Sequence, residues 1–449
     1  MGKELKLFGC ILVISVLASF AIAFFGGRFK YSSLAEDVGM IAFQETAHNL
    51  VTSGSFGTQD NLFAGYFRRP PAYPILLATV YFIFGEYLWV VWGLHLVLWG
   101  FSLFVLWRVS RRFLDGLSAL LPPLFFGLWW GASTNIFIMN PEVFAMLAVL
   151  LFVYFALCYG KDRSAKFLFL EGLALAVLIL TKPIFLYFVP IALALQYFQY
   201  RVNFTRAVLY MLPVLVLVGS WSLYSYRVFG TYELASGALT IMRRADDVEM
   251  SGKRIRAFIV ATFFGDFNAD RLYPGYAADP EPVTKASVAR EHDYLTKWER
   301  GKANEADLQR AVYAEAKNFI LMHPLQYILL TPVYALRLHM PVNLRGEGMD
   351  HTFAGSSVPS YQNLKSLILG GIFLVWYAFI AAVFWNYVNR IKDWQSWGVI
   401  LALIPYSVVM YALISHSEAR YLLPVMPFYF LLFSTFVVSL YKRFWLASL

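Results

Sequence analysis

SLAEDVGMIAFQETAHNLVTSGSF (residues 33–56) and, after a short gap, RRPPAYPILLATVYFIFG (68–85) form the stretch around which the rest of the chain is organised. It follows an apolar run, Leu7 to Phe25, and has the pattern of a short amphipathic helix at a membrane surface. Ser33-Leu34-Ala35-Glu36 fits a capping box, and Met40, Phe43, Ala47 and Leu50 form one apolar face. Ser53-Gly54 ends the helix. Glu36 thereby has a structural task as a cap. Asp37 shares a helical face with Gln44 and His48, a polar stripe that can hold a carboxylate at the membrane boundary; taken alone, it also suits the positive end of the helix dipole.

The surrounding chain sets the solvent. Of 449 residues, 59% are hydrophobic and 14% charged, and the mean hydropathy is +0.58, which places the protein in the membrane class. The formal net charge of +9 sits at the ends of apolar runs and makes no basic stripe, so nucleic acid is excluded as a partner. The two cysteines, Cys10 and Cys158, make neither a disulfide framework nor a metal cluster. The N-terminal run, preceded by Lys3 and Lys6, reads as an uncleaved first anchor, with Ala21-Ile22-Ala23 a weak cleavage signal.

A membrane-spanning helix needs about 20 apolar residues. Runs near 7–25, 87–107, 117–134, 142–159, 167–181, 184–200, 207–226, 364–388, 397–415 and 421–441 give about ten spans. Lys3/Lys6, Arg108/Arg111/Arg112, Lys161/Arg163/Lys166, Arg201/Arg206, Arg390/Lys392 and Lys442/Arg443 then fall on one side, which the positive-inside rule makes cytoplasmic. The opposite side receives the loop 26–86, the turns at Ser133 to Pro141, Lys182 and Ser415 to Arg420, and the long segment 227–363.

The expected fold is therefore an all-α polytopic membrane protein in three parts. Residues 1–226 form a transmembrane region with the outer loop 26–86, residues 227–363 an outer-face loop, and residues 364–449 the C-terminal transmembrane helices. Within 227–363, Leu308, Val312, Phe319 and Ile320 form an approximate stripe opposite Glu305, Asp307, Arg310 and Lys317, which predicts a small helical cap. Leu325 to Met340, bounded by Pro324 and Pro341 and interrupted by Pro332, reads as an interfacial or re-entrant helix; a crossing there would put the last basic loops outside.

Candidate chemical groups gather on the outer side. Arg68 and Arg69, beside the rigid Pro70-Pro71-Ala72-Tyr73-Pro74 turn, suit a lipid-linked phosphate, or snorkel to headgroups. Glu142 follows Asn140-Pro141 at the start of a span, where it caps a helix or faces a substrate. Lys182 stands between two spans with no adjacent acid and calls for an anionic partner. Arg420 and Tyr421, before Pro424 and Pro427, add another outer cation.

In these residues the chain resembles the polyprenyl-phosphate-sugar-dependent transferases of the GT-C superfamily, the group of the protein O-mannosyltransferases and the lipid A aminoarabinose transferase. The matching phrases run in order: Asp37, Ala47-His48-Asn49-Leu50, Gly54-Ser55-Phe56, Arg69-Pro70-Pro71-Ala72-Tyr73-Pro74, Leu77-Ala78 and Phe84-Gly85. They continue with Pro141-Glu142, Thr181-Lys182-Pro183, Trp221 with Arg227-Val228-Phe229-Gly230, and Arg420-Tyr421-Leu422-Leu423-Pro424-Val425-Met426-Pro427. The family places a tyrosine four residues after its aspartate and a small residue four later; counting back from Ala47 gives Phe43 and Gly39, so Asp37 stands two positions early. The segment 227–363 carries no matching phrase.

The resemblance implies a GT-C-like bundle in the cytoplasmic membrane with its active site on the periplasmic or extracellular side. It implies inverting transfer of a sugar from a polyprenyl-phosphate donor to a hydroxyl of a glycan, lipid or protein acceptor. Asp37 would be the base, with Glu45 the alternative; Arg68, Arg69, Tyr73, Glu142, Lys182, Arg420 and Tyr421 would bind substrate. No metal ligands are read from the residues, although some relatives hold a divalent metal near the acidic groups. Membrane lipid is a further expected partner. A lipid-linked sugar transporter or flippase is the main rival, since boundary charges such as Glu142 and Lys182 also mark substrate paths; it predicts two related halves, and no repeat is visible. An assembly protein docking through 227–363 is the third reading.

Overall fold

The computed structural model describes residues 2–25, 38–56, 68–246, 250–276, 293, 296, 305–341, 359–415 and 418–445. Among them the elements, in chain order, are helices α1 (Gly2–Phe25), α2 (Val38–Thr52), α3 (Ala72–Phe84), α4 (Leu88–Ser110), α5 (Leu121–Gly127) and α6 (Trp130–Ile136). There follow α7 (Glu142–Asp162), α8 (Ala165–Thr181), α9 (Val189–Tyr200), α10 (Phe204–Phe229), α11 (Ala238–Asp246), α12 (Gly252–Phe264) and α13 (Asp266–Leu272). The chain closes with α14 (Glu305–Met322), α15 (Pro324–Leu338), α16 (Pro359–Arg390), α17 (Trp394–Ile414) and α18 (Met426–Trp445).

By length and apolarity, six of the described helical stretches can cross a membrane, at 2–24, 88–110, 142–162, 183–200, 204–229 and 363–414, or up to seven if a bent pair counts as one. The protein is accordingly an all-α, multi-pass membrane protein. The other expected spans are present as shorter, joined or broken helices. The 117–134 run is a 3-10 turn (Gly116–Leu120) followed by α5 and α6. Pro122 and Pro123 withhold backbone donors, and the Trp129 ring folds back over Gly131, where a Cβ would lie 2.4 Å from it. The last helix starts at Met426 rather than near 421, because residues 419–422 wind into a 3-10 turn before Pro424 and Pro427.

The main core joins the apolar faces of α4, α7, α8, α10, α17 and α18. Two of its helices approach closely at Gly172 on α8, where a Cβ would lie 1.9 Å from the Tyr210 carbonyl oxygen of α10. A second core packs α2 on α3: Phe43 and Ala47, with Leu50 beside them, meet Tyr73, Leu77, Ala78 and Tyr81, the face expected from the sequence. Gln44 Nε2 donates to Glu86 Oε1 at 3.1 Å and His48 Nδ1 lies 2.7 Å from Glu86 Oε2, so the polar stripe of α2 latches onto the corner after α3. That corner turns at Gly85, whose φ of +81° and closeness to the Tyr87 ring exclude a side chain.

A third, small core joins α11 and α14 through Ala238, Met242, Ala245, Val312 and Ala316, with Phe319 and Ile320 against it. On the wet face of α14, Asp307 and Arg310 pair at 2.5 Å. The final part of α14 meets α15 at a bend of 99°, so the Leu325 to Met340 run begins with a sharp change of direction.

The basic loops share one end of the bundle. Arg163 Nη1 donates to the Tyr200 carbonyl at 2.7 Å, Gln199 to that of Trp394 at 2.8 Å, and the Phe113 and Trp397 rings meet at 3.9 Å. The helix α7, with 21 residues, carries the chain from the opposite end to that one, a rise of about 30 Å. Ser33, Glu36, Asp37, His416 and Ser417, and the side chains of Met40, Glu305 and Leu308, lie outside the described residues.

Candidate active site

At the end of the bundle opposite the basic loops, α7 starts and α8 stops side by side. Asn140 fixes the start: its Oδ1 accepts the Glu142 N–H at 3.3 Å while its Nδ2 donates to Asn135 Oδ1 at 2.8 Å. Lys182 leaves α8 in an extended conformation, held by its N–H to the Leu178 carbonyl at 2.7 Å and followed by the 3-10 turn that Pro183 begins. Lys182 Nζ thereby reaches Glu142 Oε1 at 2.7 Å, with the two side chains only 12% and 3% exposed. The anion that Lys182 requires is a carboxylate forty residues away. Glu142 Oε2, also buried, makes no hydrogen bond among the described residues.

The turn after α17 closes over this pair. Lys182 Nζ lies 5.4 Å from the centroid of the Tyr421 ring, a cation-π distance, and Tyr421 stacks on Tyr411 of α17 at 5.1 Å and 13°. Beside it Arg420 pairs with Glu418. From the α3 side, the Arg69 guanidinium sits over the Phe43 ring at 5.0 Å. Burial lowers the Arg69 pKa to about 10; Tyr421 and Glu142 counteract this and Arg420 reinforces it, so Arg69 belongs to the same electrostatic cluster. Burial also disfavours charge on Arg420, but Glu418, with Tyr421 and Glu142, outweighs it and raises its pKa above the ordinary value.

Tyr73 supports this cluster from beneath. It is fully buried, and its hydroxyl lies 2.8 Å from His95 Nε2, while His95 Nδ1 lies 2.9 Å from the Ile136 carbonyl oxygen. A carbonyl only accepts, so Nδ1 carries the proton; in the neutral ring Nε2 then accepts from the Tyr73 hydroxyl. The chain pins the Pro70 to Pro74 turn to α4 in this way.

Of the residues singled out in the sequence, Arg69, Glu142, Lys182, Arg420 and Tyr421 are brought together, with Tyr73 below them. Arg68 points elsewhere: buried, it lies over the Phe229 ring at 4.7 Å, and its backbone exchanges hydrogen bonds with Ser236, the Ser236 N–H reaching its carbonyl at 3.0 Å. Phe56 packs edge-on against Trp221 at 4.6 Å, so the Gly54-Ser55-Phe56 and Trp221 to Gly230 phrases meet in space. Glu45 is half-buried on α2, and Asp37 lies outside the described residues.

Three contributors went unread in the sequence, Glu418, His95 and Tyr411, and Phe43 was read for its place on the apolar face of α2 and not as a member of the site. His95 did carry a signal, as an ionisable residue inside an apolar span. Glu418 stood two residues from Arg420, whereas Tyr411 and Phe43 were indistinguishable from other apolar-face aromatics. Among the described residues, no group of three or more His, Cys, Asp or Glu side chains is arranged to hold a metal ion.

The path of the chain is similar to that of two solved enzymes. One is the oligosaccharyltransferase AglB of Archaeoglobus fulgidus, solved in the apo form and with an inhibitory peptide and a dolichol-phosphate; the TM-score is 0.47 and the identity 10%. That alignment covers 98% of this chain and 51% of the archaeal one, so the chain spans about half the length of that enzyme. The other is ArnT of Cupriavidus metallidurans, bound to undecaprenyl phosphate, with a TM-score of 0.39, 14% identity, and coverage of 95% of this chain and 77% of that one. No protein-family profile matches the chain, and no protein of curated function does. All the TM-scores are below 0.5, so the family reading continues to rest on the sequence phrases and the site.

Proposed function

We propose that the protein is a GT-C-type glycosyltransferase that moves a sugar from a polyprenyl-phosphate donor to an acceptor hydroxyl at the outer face of the membrane, with inversion. The observation that carries this reading is the convergence of Lys182, Arg420 and Arg69 around Glu142 and Tyr421 at one end of the bundle. A phosphate whose glycosidic bond breaks gains negative charge in the transition state. Preorganised cations in a partly desolvated site stabilise that charge most.

In the proposed step a carboxylate, Asp37 or else Glu45, takes the proton of the acceptor hydroxyl. The acceptor oxygen bonds to the anomeric carbon from the face opposite the leaving group, and the bond from that carbon to the phosphate oxygen breaks with its electron pair. Polyprenyl phosphate departs as an anion against Lys182, Arg420 and Arg69. Glu142 orients Lys182 through Oε1 and leaves Oε2 to accept a hydrogen bond from a sugar hydroxyl. Arg68 and Tyr73 hold the loop that carries Arg69. Residues 1–226 and 364–449 supply these groups, and the segment 227–363 covers them and meets the acceptor.

A membrane transporter for the same lipid-linked sugar places its charges near the midplane of the bilayer. Glu142 is instead the first residue of its helix, and Lys182 follows the last of its own, which favours chemistry at the boundary. The test is sugar transfer in membranes supplied with a labelled polyprenyl-phosphate sugar. Asp37→Asn abolishes transfer while leaving expression and donor binding intact. Undiminished turnover in Asp37→Asn together with loss in Glu45→Gln moves the base to Glu45; undiminished turnover in both removes the carboxylate step from the mechanism.

A further inference from the structure

Arg244 of α11 is fully buried, yet among the described residues its hydrogen bonds go only to neutral oxygens. Its Nε donates to the Ala412 carbonyl at 3.1 Å; its Nη2 donates to the Tyr327 carbonyl at 3.1 Å and to Thr331 Oγ1 at 3.3 Å. The rings of Tyr327 and Tyr334 flank the guanidinium, with centroids 4.2 and 4.0 Å away. An enclosed guanidinium needs compensation for lost hydration, and its position supplies the rest of it.

Ala412 belongs to the last turn of α17, where carbonyls lack donors within the helix and the helix dipole is negative. The Tyr327 hydroxyl donates to the next carbonyl, that of Leu413, and the Ser415 N–H closes onto Tyr411 at 2.9 Å. Arg244 and Tyr327 therefore cap α17 from other elements. The capped end is the part of α17 that enters the site. Tyr411, the residue before Ala412, stacks on Tyr421, and Glu418 and Arg420 follow directly.

We propose that Arg244 is a positioning residue. By capping the C-terminus of α17 it holds the Tyr411–Tyr421 stack and the Glu418–Arg420 turn against the Lys182–Glu142 pair, and it ties the α11–α14 unit to the phosphate end of the site. The consequence for sugar transfer rests on the function proposed above; the capping role rests on the geometry alone.

Two measurements on the purified full-length protein in nanodiscs separate these layers. In Arg244→Gln, amide exchange at Ser415, Tyr421 and Leu423, whose N–H groups close onto Tyr411, Glu418 and Arg420, rises about tenfold or more, with α7 and α8 unchanged. Tyr327→Phe, which removes one hydroxyl and keeps the ring, gives a smaller rise at the same amides and serves if Arg244→Gln is too unstable to purify. Arg244→Lys, lacking the planar fork, behaves like the glutamine variant. No change at these amides, or an equal rise along the whole chain, overturns the cap.

In the transfer assay, Arg244→Gln raises the donor KM about tenfold and leaves the acceptor KM unaltered. A local rise in exchange with an unchanged donor KM overturns the link to the site. A local rise with no sugar transfer by the wild-type protein overturns the proposed activity and leaves the cap standing.

Discussion

Lys182 and Glu142 show how a pair of charges becomes meaningful only through its surroundings. At 2.7 Å and almost enclosed, the pair compensates its own desolvation; removing one member strands the other. Lys182→Met is expected to destabilise the protein by about 3–5 kcal/mol, measured by thermal unfolding in detergent. Adding Glu142→Gln removes the stranded charge and is expected to recover most of that stability, while sugar transfer is expected to stay lost, because the cation proposed to face the leaving phosphate is gone. Full transfer by the double variant would remove Lys182 from the phosphate-binding set. The sequence marked Lys182 as a boundary charge that calls for an anionic partner, and Glu142 as a helix cap or a group facing a substrate. It gave no indication that each was the other's partner, since forty residues of two antiparallel helices separate them.

At the scale of helices, the amphipathic face of α2 and the ends of α4, α7, α8 and α10 were readable from periodicity, caps and charge. The breaks were not. The 117–134 run is apolar enough to count as one span; the paired prolines withhold donors where the 3-10 turn meets α5, and the Trp129 ring folds over its own turn where α5 gives way to α6. Close approach between helices is likewise a tertiary matter. Gly172 lies in an ordinary apolar run, but a Cβ there would meet the Tyr210 carbonyl at 1.9 Å, whereas Gly93 has nothing within 4 Å. Gly172→Ala is expected to push α8 from α10 and cost about 1–3 kcal/mol, with Gly93→Ala close to neutral in the same unfolding measurement. Equal melting temperatures for the two variants would contradict that packing.

For the whole molecule, the placement of the site depends on which end of the bundle is outside. The basic loops at 108–112, 161–166, 201–206 and 390–392 gather at one end and the Lys182–Glu142 cluster at the other, so an outer position of the cluster is what the positive-inside rule leads one to expect. In a variant lacking Cys10 and Cys158, a single cysteine at Ser417 is expected to react with a membrane-impermeant thiol reagent from the outer side only. Labelling solely from the cytoplasmic side would invert the orientation. By itself the sequence determined the membrane class, the helical content and the shared end at which the basic loops collect, and it singled out five residues that the structure brings together. These follow from hydropathy, local periodicity and charge at span ends, which need no knowledge of what packs against what. Only the tertiary structure decided that Lys182 pairs with Glu142, that Arg68 turns away from Arg69 toward Phe229, that His95 meets the Tyr73 hydroxyl and that Arg244 reaches the Ala412 carbonyl. Those outcomes depend on distances between residues far apart in the chain, and such distances exist only after the helices have packed.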